Sequence, residues 1–232
     1  MRKLSIILMF GVGCNSQPAE WKPDIVCETY APATMGSTPL KRLTRSQYNH
    51  SIQDVLGVTD SYESLLVEDE KLGFFASNST ASPDMTTIEM YQIAAETVVA
   101  DADLGAIDDC NLMNTPGETC ARQYIDTVGS RLFRRPLSAE EEKTYIDLYF
   151  LYSSRSHNDG LRIVTRAMLQ SPAFLYHPDY EVVAGQANGE IQPLSSYALA
   201  SRLASFLWDS VPDEQLLEAA GSGALLTDEG LR

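Results

Sequence analysis

Positive charge and long hydrophobic runs are both scarce in this sequence of 232 residues. Lys and Arg number 17 against 32 Asp and Glu, which gives a formal net charge of −15 at pH 7. A surface of that sign repels phosphate backbones, so we expect no nucleic-acid partner. The uncharged run at residues 4–12 would form a helix of only about 14 Å, whereas the hydrocarbon core of a bilayer is roughly 30 Å thick. This run is therefore too short to cross a membrane.

The motifs of several common catalytic and cofactor sites are also missing. The sequence contains no C-x-x-C-H for covalent haem, no H-E-x-x-H for zinc, no G-x-S-x-G, no P-loop and no G-x-G-x-x-G. The three histidines, His50, His157 and His177, lack a second ligand at metal-binding spacing, and we expect them at the surface or at helix ends. The sequence therefore predicts no metal site and no cofactor, and it identifies no catalytic residue.

Acidic residues are plentiful, but their order is not that of a metal site. The clusters at 67–70 and 101–109 do not follow the D-x-D-x-D-G order of a calcium loop, and we expect them to be solvated helix ends. A glycosidase remains possible, because its two carboxylates need only lie about 5 to 9 Å apart in space. The sequence does not identify such a pair.

Arginines and large aromatic residues are the other candidates for binding. Arg134, Arg135 and Arg202 can hold carboxylates or sulfates with their planar guanidinium groups. The expected role of Arg134 and Arg135 is to lie at the negative end of a helix dipole and to pair with nearby acids. Phe206 and Trp208 are expected to pack in the core, with an aromatic platform for sugars as the alternative.

The N-terminus has the layout of an export signal. Arg2 and Lys3 precede the apolar run, and small residues precede Cys14. This arrangement resembles the lipobox of bacterial lipoproteins, although Gly11 stands where leucine is usual. We expect a signal peptide at 1–13, a lipid on Cys14 and a flexible tether over 14–39. The expected location is the cell envelope, at the outer membrane or cell surface, with the periplasmic side possible; plain secretion or no export are the alternatives.

The other cysteines suit an oxidising compartment. Cys110 and Cys120 flank a Pro-Gly turn and are expected to form a disulfide, with buried free thiols as the alternative. Closing a loop of about ten residues would contribute about 2.7 kcal/mol in the chain-entropy model. Cys27 then has no partner, which raises the question of a cysteine outside this sequence.

Most of the chain has helical periodicity. Capping boxes begin helices after Thr44 and Ser138, and Gly57 is placed to end the first helix. Other helices are predicted after Pro83, before Pro136, before Ser171, over 197–208 and from near Pro212. The helix after Pro83 is expected to bury five residues along one face: Met85, Ile88, Ile93, Ala95 and Val99. Strands are predicted only at 180–183 and 190–192, so the fold class is mainly α, an irregular multi-helix bundle with at most one small β-hairpin.

Three strings of residues resemble a known series of modules. The strings are RLTRSQYNHSIQDVLGV, CARQYIDTVGSRLFRRPLSAEEE with RAMLQSPAFLYH, and LASRLASFLWDSVPDEQLL. They are similar to large secreted planctomycete and myxobacterial proteins built from domains of unknown function, the 1587, 1595 and 1592 module series. The resemblance implies an exported helical protein with modules at 40–105, 106–180 and 181–232. We expect the third module to be incomplete, because Thr227 begins a helix cap just before the sequence stops.

These observations favour a lipid-anchored extracytoplasmic protein of unknown molecular function with a binding or assembly role in the cell envelope. Its expected partners are the membrane, through the N-terminal lipid, and an envelope protein or polysaccharide. One alternative is an extracytoplasmic enzyme or redox accessory whose active site lies in a missing C-terminal part. Another alternative is a broken gene product that does not fold alone.

Overall fold

A computed structural model describes residues 40–79, 82–108, 117–177 and 194–227, together with residues 110, 112, 115 and 230. Almost all regular structure in these ranges is helical. The helices are α1 (Arg45–Leu56), α2 (Met85–Asp101), α3 (Leu104–Ile107), α4 (Gly117–Phe133), α5 (Ala139–Ser153), α6 (His157–Leu169), α7 (Pro172–Leu175), α8 (Ser196–Leu207) and α9 (Glu214–Gly221). Among them, none has both the length and the apolar character needed to span a bilayer.

Local capping sets the ends of several helices. Thr44 and Gln47 form the predicted capping box of α1, and Gly57 ends that helix with a left-handed backbone at φ 66°. Ser138 and Glu141 form the second predicted capping box at the start of α5. Both boxes satisfy backbone N–H groups that an isolated helix leaves without partners.

Helices α4, α5 and α6 pack together and form the centre of the core. Their inward residues, including Ile125, Leu132, Leu161 and Met168, are fully or almost fully buried. Gly160 allows the close approach of α6 to α5, because a Cβ atom at this position would lie 2.5 Å from Tyr149 Cδ2. The glycine is therefore required by packing at that crossing.

The buried face of α2 differs from the predicted one. Ala95 and Val99 are buried as expected, but Met85, Ile88 and Ile93 are exposed. The helix instead buries a face of mostly small residues, with Tyr91, Ala94 and Val98 completing it, and packs that face against α6. Small side chains let two helices approach closely, so packing partners rather than local hydrophobicity decided the orientation of α2.

The fold class is confirmed as an irregular, mainly helical bundle. The regular strands of the described residues are β1 (Lys71–Leu72) and β2 (Phe75–Ala76), which pair in an antiparallel ladder. The hairpin predicted at 180–183 and 190–192 lies outside the described residues.

The prediction that Phe206 and Trp208 pack in the core is wrong. Phe206 is 86% exposed and Trp208 41% exposed. Helix α8 packs against α9 through a small cluster that includes Ala200, Ala220 and Leu225. Because α8 turns the side with Ala200 towards this cluster, Phe206 remains on the outer side.

Candidate functional site

Three distant segments meet beside the N-terminus of α1. The Arg42 N–H donates to the Asn78 carbonyl at 3.0 Å, and the Leu43 N–H donates to the Leu175 carbonyl at 2.8 Å. The His177 N–H donates to the Lys41 carbonyl at 2.8 Å. These backbone bonds bring residues 41–43, the segment after β2 and the segment after α7 into one short irregular sheet-like arrangement.

A pocket of about 310 Å³ opens beside this arrangement and is bordered by α8. Its described lining carries cationic or imidazole side chains at four positions: Lys41, Arg42, His177 and Arg202. The polar uncharged lining residues are Thr44, Gln47, Ser77, Asn78 and Ser205. Apart from Ala76 and Phe206 the described lining is polar, and none of it is a carboxylate. In a chain with a net charge of −15, this is a local concentration of positive charge.

Arg42 carries a charge that is poorly compensated for its burial. It is 7% exposed, and its Nε atom has no hydrogen-bond partner among the described residues. Its guanidinium carbon lies 5.9 Å from the centre of the Tyr91 ring, a cation–π contact. Arg42 also contributes to the lowered pKa of Asp84, although the hydrogen bonds from Thr87 are the main cause. Burying a cation is costly unless it is paired and hydrogen-bonded. An anion beside Arg42 that accepted a hydrogen bond from its guanidinium would therefore stabilise the buried charge.

Asn78 and Asp69 connect the wall of the pocket with the start of α1. Asn78 Nδ2 donates to the Leu43 carbonyl at 2.9 Å and to Asp69 Oδ1 at 2.7 Å. The Arg45 N–H, at the start of α1, donates to both Asp69 oxygens at 3.1 Å. The prediction of a solvated helix end is therefore wrong for Asp69, because this carboxylate, contributed by a distant segment, binds the positive end of α1.

Gln47 connects the N-terminus of α1 with the segment after α7. Its Oε1 accepts the Thr44 N–H at 3.1 Å and lies 3.3 Å from His177 Nε2, so the ring donates its Nε2–H to Gln47. His177 is only 8% exposed and directly follows the C-cap of α7, so it is a buried helix-end histidine rather than a surface one. The same side chain thus completes a helix cap and fixes a ring in the pocket wall.

A second group joins a serine, a histidine and an aspartate, but not in a catalytic arrangement. Ser46 Oγ donates directly to Asp209 Oδ2. His50 Nδ1 lies 3.5 Å from Ser46 Oγ and 3.5 Å from the same Asp209 oxygen. A nucleophilic triad needs the serine and the aspartate on opposite nitrogens of the ring. Here both contact Nδ1, so His50 cannot transfer a proton from the serine while the aspartate orients it.

A third group, Asp108, His157 and Tyr149, is closed on itself. His157 begins α6, as expected of a helix-end histidine, and its Nε2 lies 2.8 Å from Asp108 Oδ2. The Tyr149 hydroxyl lies 2.7 Å from Nδ1 of the same ring, and burial raises the pKa of Tyr149. Since both ring nitrogens have partners, we interpret the group as a link that attaches the chain near Asp108 to α5 and α6. Asp108 is consequently a buried partner of His157 rather than a solvated helix end.

The two neighbouring arginines after α4 have different roles. Arg135 pairs with Glu141 through two hydrogen bonds of 2.9 Å, as predicted, and these bonds are the main reason why the pKa of Glu141 falls to about 2. Arg134 is instead 1% exposed, and its Nη2 donates to the carbonyls of Ala173, Phe174 and Tyr176. Arg134 thus follows the C-terminal end of α4, as predicted, and among the described residues it binds carbonyls at the end of α7.

A larger cavity, of about 650 Å³, lies between α4 and α9. Its lining carries charges of both signs: Asp126, Arg131, Arg135, Asp213, Glu214 and Glu218. Since the carboxylates outnumber the arginines, this cavity offers no selective attraction for an anion. The smaller cationic pocket is therefore the better candidate for a specific ligand.

The cysteine predictions have one clear outcome. Cys110 and Cys120 form the predicted disulfide, with their Cα atoms 5.5 Å apart. Cys14 and Cys27 lie outside the described residues.

Across the described ranges, no group of three or more His, Cys, Asp or Glu side chains is placed to hold a metal ion.

Sequence reasoning did not identify the pocket as a site. The sequence singles out Arg202 for binding and Phe206 as part of a sugar platform, but it does not connect either residue with Lys41, Arg42 or His177. A local signal for the pocket is the pair Lys41-Arg42, which stands just before a capping box in an acidic chain.

Three protein-family models match the chain, each described as a protein of unknown function. DUF1587 matches residues 41–103, DUF1595 matches residues 120–179 and DUF1592 matches residues 194–232. No curated protein and no solved structure matches the chain. The chain is therefore built from the DUF1587, DUF1595 and DUF1592 modules, in that order.

Proposed function

We propose that this protein is a lipid-anchored, extracytoplasmic binding protein of the cell envelope. The observation that carries the binding role is the cationic pocket, because its described lining comes from all three matched modules. Lys41 and Arg42 belong to the first, His177 to the second, and Arg202 and Phe206 to the third. Ligand sites occur preferentially where domains meet, and a ligand there would contact all three modules at once.

The extracytoplasmic location is supported by the Cys110–Cys120 disulfide. Disulfides form and persist in oxidising compartments and are rare in the cytosol. The sequence before Cys14, with a basic start, an apolar run and small residues, is consistent with the same route. An acyl chain on Cys14 would attach the folded part to a membrane without a spanning helix.

A binding role is favoured over catalysis by the geometry of the polar groups. The Ser46, His50 and Asp209 group has both partners on one nitrogen of the ring, and the Asp108, His157 and Tyr149 group is internally satisfied. In contrast, the cationic pocket has hydroxyl, amide and cationic groups along an open cavity. That arrangement suits recognition of a polar anionic ligand, and an envelope polysaccharide is the partner that we propose.

The anchor can be tested by mass spectrometry of the mature N-terminus from membranes, combined with labelled palmitate. We expect a diacylglyceryl mass on Cys14, loss of the label in Cys14→Ser, and retention of the label in the control Cys27→Ser. An unprocessed Met1 in a cytosolic chain, or equal labelling of the two variants, would overturn the proposed anchor.

A further inference from the structure

We infer that the cationic pocket binds an acidic sugar unit, with the oxyanion of the sugar, a carboxylate or a sulfate, held by the basic side chains. This inference deepens the proposed binding function and names its ligand class. It rests on three features of the pocket, which are its charge, its polar lining and the aromatic residue at its rim.

The charge of the pocket selects for an anion. Lys41, Arg42 and Arg202 border it, while its described lining contains no carboxylate. Among the described residues, two carboxylates close to this region have partners of their own, since Asp69 binds the N-terminus of α1 and Asp84 caps α2. An oxyanion in the pocket would lie near the buried Arg42 charge and reduce the cost of burying it.

The uncharged part of the lining suits a sugar better than an apolar ligand. Thr44, Gln47, Ser77, Asn78 and Ser205 offer hydroxyl and amide groups, and these pair well with sugar hydroxyls. Polar and apolar atoms both contribute to the lining surface, and a sugar ring likewise presents both hydroxyl groups and an apolar face. A volume of about 310 Å³ is at the small end of the range for ligand pockets, which is roughly 300–1,000 Å³, so it suits one unit of a longer chain.

Phe206 supplies an apolar face beside the charges. It is 86% exposed, borders the pocket and belongs to a helix that packs its small residues inward. An exposed ring at the edge of a polar pocket can cover the apolar face of a sugar ring while the basic groups hold the oxyanion. An inorganic ion would gain from the charges but not from this ring.

The test is calorimetric titration of the full chain, in mild detergent at low salt, with four probes: tri-galacturonate, maltotriose, tetra-glutamate and inorganic phosphate. We expect tri-galacturonate to bind most tightly and neutral maltotriose not to bind. Raising the salt to physiological ionic strength should weaken binding, because partly exposed charges are screened.

Variants locate the site. The double variant Lys41→Gln/Arg202→Gln changes residues at the rim and should weaken tri-galacturonate binding at least about tenfold, the size of losing charged hydrogen bonds. Phe206→Ala should weaken tri-galacturonate binding but leave phosphate binding unchanged. Arg155→Gln, an exposed arginine on the loop between α5 and α6, is the control and should bind like the parent. The thermal unfolding of each variant is measured alongside to verify that it is folded.

Each remaining outcome is decisive. No binding of tri-galacturonate, or binding that the double variant leaves unchanged, overturns the inference. Equal binding of tetra-glutamate or phosphate overturns the assignment to sugars. Because the titration does not depend on the acyl chain, failure of sugar binding and failure of the anchor on Cys14 give separate results.

Discussion

Replacing Arg134 by methionine should strongly destabilise the fold, although no catalytic or binding role is assigned to this residue. Arg134 is fully buried, and the two hydrogens of its Nη2 are shared among the carbonyls of Ala173, Phe174 and Tyr176, which lie 3.1, 2.9 and 2.6 Å from Nη2. Methionine fills a similar volume but donates no hydrogen bond. The variant Arg134→Met therefore removes the donor while leaving the three acceptors in place.

The expected magnitude follows from those acceptors. A buried polar group that loses its partner costs about 1 to 3 kcal/mol, and hydrogen bonds to charged groups are at the strong end. One of the three bonds is buried and two are partly buried, so water can compensate part of the loss. We expect the free energy of unfolding to fall by about 3 kcal/mol, or Tm by about 6 to 12 °C for a chain of this size.

The assay is thermal and urea unfolding followed by circular dichroism, with the disulfide intact. Arg134→Lys should be intermediate, because a single ammonium keeps the charge but cannot reproduce the fork of the guanidinium. Arg122→Met is the matched control, since Arg122 makes only exposed ion pairs with Glu118 and Glu142 and its loss should change Tm little. If Arg134→Met and Arg122→Met had the same Tm, the assigned role of Arg134 would be refuted.

Two further predictions concern packing and pH. Gly160→Ala places a Cβ atom 2.5 Å from Tyr149 Cδ2. Such overpacking costs about 1 to 3 kcal/mol, and the better helix propensity of alanine offsets about 1 kcal/mol of this cost. We therefore expect a net loss of stability. Gly105→Ala, whose nearest neighbour is 3.5 Å away, is the control, and equal stability of the two variants would contradict the close packing. Arg135 lowers the pKa of Glu141 from 4.5 to about 2; the ionised form therefore stabilises the fold fully above pH 4.5, and this contribution is lost as the pH falls towards 2. Glu141→Gln should show a shallower loss of stability over that pH window, and parallel curves for variant and parent would be evidence against the pairing.

Much of the helical structure could be predicted because its causes are local. Thr44 with Gln47 and Ser138 with Glu141 cap their own helices within four residues, and Gly57 ends a helix through its own backbone freedom. The Cys110–Cys120 pair is similarly local, with a separation of ten residues along the chain. Such features depend on neighbours in sequence, so a single sequence contains the information needed.

The direction in which helices face could be predicted only in part. Helix α2 has apolar residues on more than one side, and the sequence favoured Met85, Ile88 and Ile93 as inward residues, but all three are exposed. Helix α8 likewise turns Phe206 outward. When several faces are apolar, the choice depends on which one fits a partner helix, and small residues such as Ala94 and Ala200 permit the closest approach.

The sequence by itself determined the helical class, the capped ends, the disulfide and the acidic charge of the protein. Only the tertiary structure decided where its few basic groups gather, because backbone hydrogen bonds join Lys41 to His177 and Arg42 to Asn78 across distant segments. Gln47 and His177, which touch in the pocket wall, are 130 residues apart. A local pattern reports interactions within a few residues, whereas a pocket made by three modules depends on how the whole chain packs, and this is the physical reason why the site was not visible before the fold.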